Sequence, residues 1–237
     1  MYRELIPKEG QILVLRKVAS DMTSYKGSFT WPQSGPVEAP DWQPHDICGN
    51  GLHGLPWGEG GDYLIGVLWV CCLVNTSTDN YIHGSGDMVD KCKFRRAEDV
   101  SVGTQEEVIL NVQKYAPINT RINYAIQVDT KTDVTQTAGY RSTQTADNGS
   151  TQTAGYRSTQ TAGYRSTQTA GNDSTQTAGN DSTQTAGNNS TQTAGINSVQ
   201  IIHYYEDGWQ VKCRLVTEVE ANKAYIFHDG DWHLTGN

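Results

Sequence analysis

Ser158-Thr159-Gln160-Thr161-Ala162-Gly163-Tyr164-Arg165 is followed at once by Ser166-Thr167-Gln168-Thr169-Ala170-Gly171-Asn172-Asp173, and the same octapeptide fills the chain from Val134 to Asn197. Eight units fit the pattern Ser-Thr-Gln-Thr-Ala-Gly-x-x, with Val134 opening the first and Asp147 replacing the glycine of the second. Variation is concentrated in the last two positions. Tyr140-Arg141, Tyr156-Arg157 and Tyr164-Arg165 come early, while Asn172-Asp173 and Asn180-Asp181 come late. A short fixed period is the signature of a solenoid, which presents the same side chains at regular spacing.

Ser-Thr-Gln-Thr-Ala suits an extended strand, because threonine is β-branched and fits the pleat. The Gly-x-x that follows tolerates the left-handed conformations of a corner. Successive side chains alternate across a strand, so the threonines face out and Ser, Gln and Ala face in, or the reverse. Small Ser and Ala suit a narrow interior, and inward glutamines can stack amide on amide. Threonine is therefore expected outside. Eight residues cannot close a coil around an interior, whereas 16 or 24 can. A 16-residue coil stacks Tyr140 on Tyr156 and sends Tyr164 to the opposite edge; a 24-residue coil stacks Tyr140 on Tyr164. The shorter coil is preferred, giving about four turns. The solenoid edge would then carry Tyr140, Tyr156, Tyr164, Arg141, Arg157 and Arg165.

Thr-Gln-Thr-Ala-Gly-Tyr-x-Ser resembles the central repeats of bacterial ice nucleation proteins. The likeness covers 134–197 and implies a β-solenoid whose Thr-x-Thr rows order water. It assigns the array to Thr135/Thr137, Thr143/Thr145, Thr151/Thr153, Thr159/Thr161, Thr167/Thr169, Thr175/Thr177, Thr183/Thr185 and Thr191/Thr193. The Leu-bearing alternate half-coil of that family is missing here.

The repeat divides the 237 residues into a head (1–120), a solenoid with flanking cap strands (121–200) and a C-terminal cap (201–237). The expected class is mostly β, with the solenoid between an α+β or β head and a β-hairpin cap. Gln11–Val18 and Val67–Val74 read as strands, the second apolar throughout and so central. Cys92–Val102 reads as extended or turn, and Gln105–Tyr115 as a strand or a short helix. Ile122–Val128 and Ser198–Ile202 are the candidate end strands that an open solenoid needs. Asp207-Gly208 and Asp229-Gly230 mark two hairpins in the cap.

Net charge is −8, made up of −5 over 1–133, zero over the repeat and −3 over the tail. No basic footprint exists, so nucleic acid is not an expected partner. The longest apolar run, Gly66–Val74, is too short to span a bilayer, and the first residues form no apolar segment. A cytoplasmic protein without membrane association is expected, and its five cysteines are expected to be reduced. No cofactor is expected.

In the head, His45, Cys48 and His53 are the candidate zinc ligands, although no second ligand pair has finger-like spacing; the alternative is a Gly-rich turn with a histidine cap. Arg16, Ser28-Phe29-Thr30, Gly51-Leu52-His53 and Glu98 resemble the ordered motifs of ADP-ribosyltransferase-like folds, which would gather them around nicotinamide. Cys48-Gly49-Asn50-Gly51-Leu52-His53 followed by an apolar strand and a polar repeat is similar to an uncharacterised domain family of bacteria and their phages. No convincing catalytic residue set emerges. The leading expectation is a non-catalytic interaction protein, phage-encoded and acting inside a bacterium through a protein partner or self-association. The alternative is ice binding through the threonine ranks, and a further one is a transferase-like or zinc-dependent head.

Overall fold

The computed structural model describes residues 2–24, 29–61 and 63–235. The chain divides into two compact units, 1–122 and 123–237. Ser28 of the transferase-like motif lies outside the described residues.

In the first unit, apolar alternation sets the sheet. β1 (Gln11–Val18), β2 (Val37–Glu38), β3 (Leu52–Pro56), β4 (Leu68–Asn75), β5 (Tyr81–His83), β6 (Cys92–Phe94), β7 (Arg96–Ala97) and β8 (Asp99–Gly103) precede one helix, α1 (Gln105–Tyr115). Six of the strands form an antiparallel sheet in the order β5-β6-β3-β1-β4-β8. β1 and β4 pair along their whole length, Gln11 with Asn75 through Val18 with Leu68. Val14, Val18, Val70, Cys72 and Val74 bury on one face against Trp31, Leu52, Phe94 and Val100. Leu13, Leu15 and Cys71 take the other face by alternation, and Val108, Ile109 and Val112 of α1 are buried with them. Gln105–Tyr115, whose pattern admits strand or helix, is a helix because Thr104 caps it. The Thr104 hydroxyl accepts the Glu107 N–H at 3.2 Å, and the Glu107 carboxylate accepts the Thr104 N–H at 2.8 Å. Two stretches that read as gaps or turns are strands, β3 and β5, paired to β6 from opposite sides.

The second unit is the solenoid. β9 (Ile126–Val128) opens it, followed by β10 (Thr135–Thr137), β11 (Thr143–Thr145), β12 (Thr151–Thr153), β13 (Thr159–Thr161), β14 (Thr167–Thr169), β15 (Thr175–Thr177), β16 (Thr183–Gly187) and β17 (Thr191–Thr193). β18 (Val199–Tyr205), β19 (Trp209–Leu215), β20 (Ala224–His228) and β21 (Asp231–Leu234) complete it. Thr135 pairs in parallel with Thr151, and Thr143 with Thr159, so one turn is 16 residues. The eight repeat strands form four turns, and β9 and β18 add strands at the two ends. Alternate strands build two sheets, β10-β12-β14-β16-β18-β19 and β21-β20-β17-β15-β13-β11-β9. The expected hairpins turn at Asp207-Gly208 and Asp229-Gly230, and each continues one of these sheets.

The interior is polar, and its glutamine amides pair from turn to turn, with Gln192 Oε1 at one end the exception. Gln160 Nε2 donates to Gln144 Oε1 at 2.9 Å and to the Thr169 carbonyl at 3.1 Å, so both amide hydrogens are used. Gln176, one turn on, donates to Gln160 Oε1 at 2.8 Å. A second ladder runs Gln136, Gln152, Gln168, Gln184 and Gln200 at 2.9–3.0 Å. Serine backbone N–H groups donate to the next turn's serine hydroxyl, as Ser158 does to Ser174 at 3.2 Å. Such a core gains little from apolar burial; its amides are inside because each finds its partners.

At the corners the left-handed conformation falls on the expected Asn, Asp or Gly in five units and on Arg in the other three, and not on the sixth-position glycine. The left-handed residue is the eighth, with φ of 57° at Arg157, 53° at Asp173 and 57° at Asn189. Glycine is needed for close approach: a Cβ on Gly171 would lie 2.9 Å from the Tyr156 nitrogen, and one on Gly195 1.9 Å from Asn180 Oδ1.

Candidate functional site

Gln inward puts Thr outward, and the parallel register aligns the threonines in straight ranks. One face carries Thr135/Thr137, Thr151/Thr153, Thr167/Thr169 and Thr183/Thr185. The other carries Thr143/Thr145, Thr159/Thr161, Thr175/Thr177 and Thr191/Thr193. Each is a grid of two columns and four ranks, spaced about 6.7 Å along the strand and about 4.8 Å between turns. Thr159, Thr161, Thr167, Thr169, Thr175 and Thr177 are exposed, as are Thr135, Thr143 and Thr151, while Thr137, Thr145, Thr153 and the threonines of β16 and β17 are partly covered. Among the described residues the repeat threonine hydroxyls make no hydrogen bond to the protein, whereas the glutamines behind them donate along the ladders and to backbone carbonyls. Each β-branched side chain has restricted χ1 freedom, so hydroxyl and methyl stay where the sheet puts them. The grid is an uncharged surface of threonine hydroxyl and methyl groups in register.

Apolar residues continue both grids in register. Val199 and Ile201 pair beside Thr183 and Thr185, and Leu215 and Cys213 beside them in turn. On the other face Ile126 and Val128 lie beside Thr143 and Thr145, and Ile226 and Ala224 beside Thr191 and Thr193. The candidate end strands Ile122–Val128 and Ser198–Ile202 signal two of these borders; the other two arise where β19 and β20 pair on.

The edges hold the variable residues. Tyr140 and Tyr156 meet edge to face at 6.4 Å, and Tyr164 lies 16 residues after Asn148, whose Oδ1 accepts the Tyr164 N–H at 2.8 Å. Arg157 and Arg165 each lie 4.9 Å over their own tyrosine, and Arg141 5.9 Å over Tyr124. Arg157 also approaches Asp173 at 3.8 Å. A hydrogen bond to Asp173 raises the pKa of the Tyr156 phenol.

In the head the candidate ligands have other partners. His45 contacts Lys93 Nζ at 3.2 Å through Nδ1 and Gln43 at 3.0 Å through Nε2. Cys48 Sγ accepts from Lys91 at 3.4 Å, and His53 Nε2 accepts the Gly49 N–H at 3.4 Å. Among the described residues no group of three His, Cys, Asp or Glu side chains is placed to hold a metal. Arg16 and His53 are brought together, since an Arg16 terminal nitrogen donates to the His53 carbonyl at 2.6 Å. Glu98 is elsewhere, accepting from Gln11 and lining a separate recess with Arg95 and Asn80, so the transferase-like set is not assembled.

The ice nucleation protein repeat family matches residues 139–167 in two copies. The ice nucleation protein InaU of Pantoea ananas is 37% identical over 102 residues, covering 41% of this chain and 9% of that protein. An ice nucleation protein of Xanthomonas campestris pv. translucens is 33% identical over 112 residues, 46% of this chain and 7% of its own length. One from Pseudomonas syringae is 40% identical over 95 residues, 38% of this chain and 8% of its own length. The match thus spans under a tenth of each relative. No solved structure matches. The repeats resemble those of ice nucleation proteins, and the chain contains an ice-nucleation-like β-solenoid.

Proposed function

We propose that the solenoid binds ice through its two threonine faces. The observation that carries this reading is the in-register grid of unbonded hydroxyls and methyls, backed by the glutamine ladders. Water bound to such a grid is ordered in two dimensions, and no charge disturbs it. Each face spans four ranks, about 14 Å. An ice embryo must exceed a size set by the supercooling before it grows, and so small a template favours adsorption to existing ice over nucleation. The test is thermal hysteresis and ice recrystallisation on the full chain. Three variants accompany it: Thr151, Thr153, Thr167 and Thr169→Lys on one face; Thr159, Thr161, Thr175 and Thr177→Lys on the other; and both together. We expect native activity, a partial loss in at least one single-face variant and complete loss in the double. Activity that survives in the double variant, or none in the native chain, would overturn the reading.

A second reading, binding of a protein partner or of another copy, has its own observation. β19 is an edge strand whose Trp209, Val211 and Leu215 are 78%, 61% and 61% exposed, beside Tyr205 at 70%. Exposed apolar edges recruit other chains. Sedimentation of the native chain and of Trp209→Lys with Val211→Lys tests it, since a mass independent of concentration and unchanged by substitution leaves no self-association. We place the protein in the cytoplasm. All five cysteines are unpaired, which fits a reducing compartment, and cell fractionation is the check. No described helix is long and apolar enough to cross a membrane.

A further inference from the structure

The sheet of the head splits beside Arg16. β3 pairs with β1 at Leu55 and Pro56, and its Leu52–Gly54 turn to β6 instead. β1 runs on to Val18 without β3 alongside it, and two recesses of about 350 and 520 Å³ open there, sharing Arg16, Cys48 and His53. The smaller is walled by Leu55, Tyr63, Leu64 and Ile65, with Lys91 at its side. The larger also holds Asp41.

Arg16 is fixed in place. Its terminal nitrogens donate to the His53 carbonyl at 2.6 Å and the Ser24 hydroxyl at 3.0 Å, and its guanidinium lies 4.4 Å from the Trp31 ring centre. The Trp31 indole N–H also donates to that Ser24 oxygen at 2.8 Å, which locks the acceptor. All these partners are neutral. Among the described residues no carboxylate is within ion-pair distance of Arg16, and its Nε is buried without a partner. Burial pulls its pKa down to about 10, so it remains charged at neutral pH. Burial, and then the charges of Arg16, Lys91 and Lys93, lower the His53 pKa to about 4, so the imidazole is neutral in a cationic setting. Buried charges are ordinarily paired, and an unneutralised guanidinium beside apolar walls is a receptor for an anion.

We propose that the smaller recess binds an organic oxyanion, a carboxylate or phosphate on an aromatic or apolar body, with Arg16 and Lys91 serving the anion and Leu55, Leu64 and Ile65 the body. Its volume is at the lower end of the range of small-molecule sites, about 300–1,000 Å³. The recess with Asp41 is disfavoured because a carboxylate repels the ligand.

Calorimetric titration of the full chain with benzoate and with phenyl phosphate tests this, beside benzamide as the neutral analogue of benzoate. One or both anions should saturate a single site, whichever is tighter identifying the headgroup, with benzamide at least about tenfold weaker. Lys91→Met, a change at a partly exposed position, should weaken the anion by about tenfold. In a Cys213→Ser background Cys48 is the one exposed thiol, and the bound anion should slow its alkylation by N-ethylmaleimide. Benzamide binding as tightly as benzoate, or no saturation by either anion up to about 10 mM, would overturn the proposal.

Discussion

The two units solve one problem with opposite chemistry. The head buries Leu13, Leu15, Val70 and Phe94, whose attraction is non-directional and tolerates exchange among apolar side chains. The solenoid buries Gln144, Gln152, Gln160, Gln168, Gln176 and Gln184, whose attraction exists only while every amide has its neighbours. A conservative change should therefore separate them. Gln168→Met keeps the volume but removes the bonds to Gln152 and the Thr177 carbonyl, and leaves the Gln184 amide without its acceptor. We expect a loss of about 3–5 kcal/mol there, against under about 1.5 kcal/mol for Leu13→Met. Denaturant unfolding followed by hydrogen exchange reads each unit separately. Equal, mild effects would remove the distinction.

Acid should divide them next. His53 in the head has its pKa lowered from 6.5 to about 4, chiefly by burial. The unfolded chain takes up that proton first, so the contribution is complete above pH 6.5 and lost as pH falls towards 4. Its size is at most about 3 kcal/mol. In the repeat, the one resolved shift is the raised Tyr156 phenol, which is neutral throughout this range. Head protection against hydrogen exchange should fall between pH 6.5 and 4 while the repeat holds, and His53→Gln should flatten the head's profile.

The ends of the two glutamine ladders sharpen the contrast within the solenoid. Gln200 Oε1 accepts from Arg214 Nε at 2.8 Å, and Arg214 stacks 3.7 Å from the Tyr225 ring centre. The other ladder ends at Gln192 Oε1, buried and without a partner among the described residues. Arg214→Met keeps the packing on Tyr225 and strips the cap, at a cost of about 1–3 kcal/mol. The last turn's amides should then exchange faster, with little change at Gln144.

Legibility in the sequence follows the same division. In the repeat, contacts lie at a fixed separation of 16, so alternation, residue size and the positions of Tyr140, Tyr156 and Tyr164 are enough to indicate turn length and facing. In the head, β3 contains Gly54 and Pro56 and β5 sits in a polar stretch; β5 is a strand through its pairing with β6, and β3 through pairing with β6 on one side and β1 on the other. Arg16 reads as one of three polar residues in β1, with Gln11 and Lys17; that it is held against Trp31 and His53 depends on segments brought from 8 to 37 positions away. The glycine of the repeat is legible as necessary, but its reason is not, because a clash with the preceding turn arises only once the turns are stacked.

The smallest effect tests the corner itself. Arg157 holds φ of 57°, a conformation that costs an ordinary L-residue about 1–2 kcal/mol and that Asn or Asp tolerates better. Asp173, Asp181 and Asn189 occupy the same position in later units at 53–57°. Arginine at this site gives up backbone ease for a cation over Tyr156 and an ion pair with Asp173, both on the exposed edge and each worth roughly 0–1 kcal/mol. If backbone strain outweighs those contacts, Arg157→Asn should stabilise the solenoid by about 0.5–1 kcal/mol. The gain should grow in high salt, where the native ion pair is screened. A destabilised variant would mean that the edge contacts of the early units hold the turn more firmly than its backbone does, and that the Tyr-Arg pairs are there for the stack rather than for the corner.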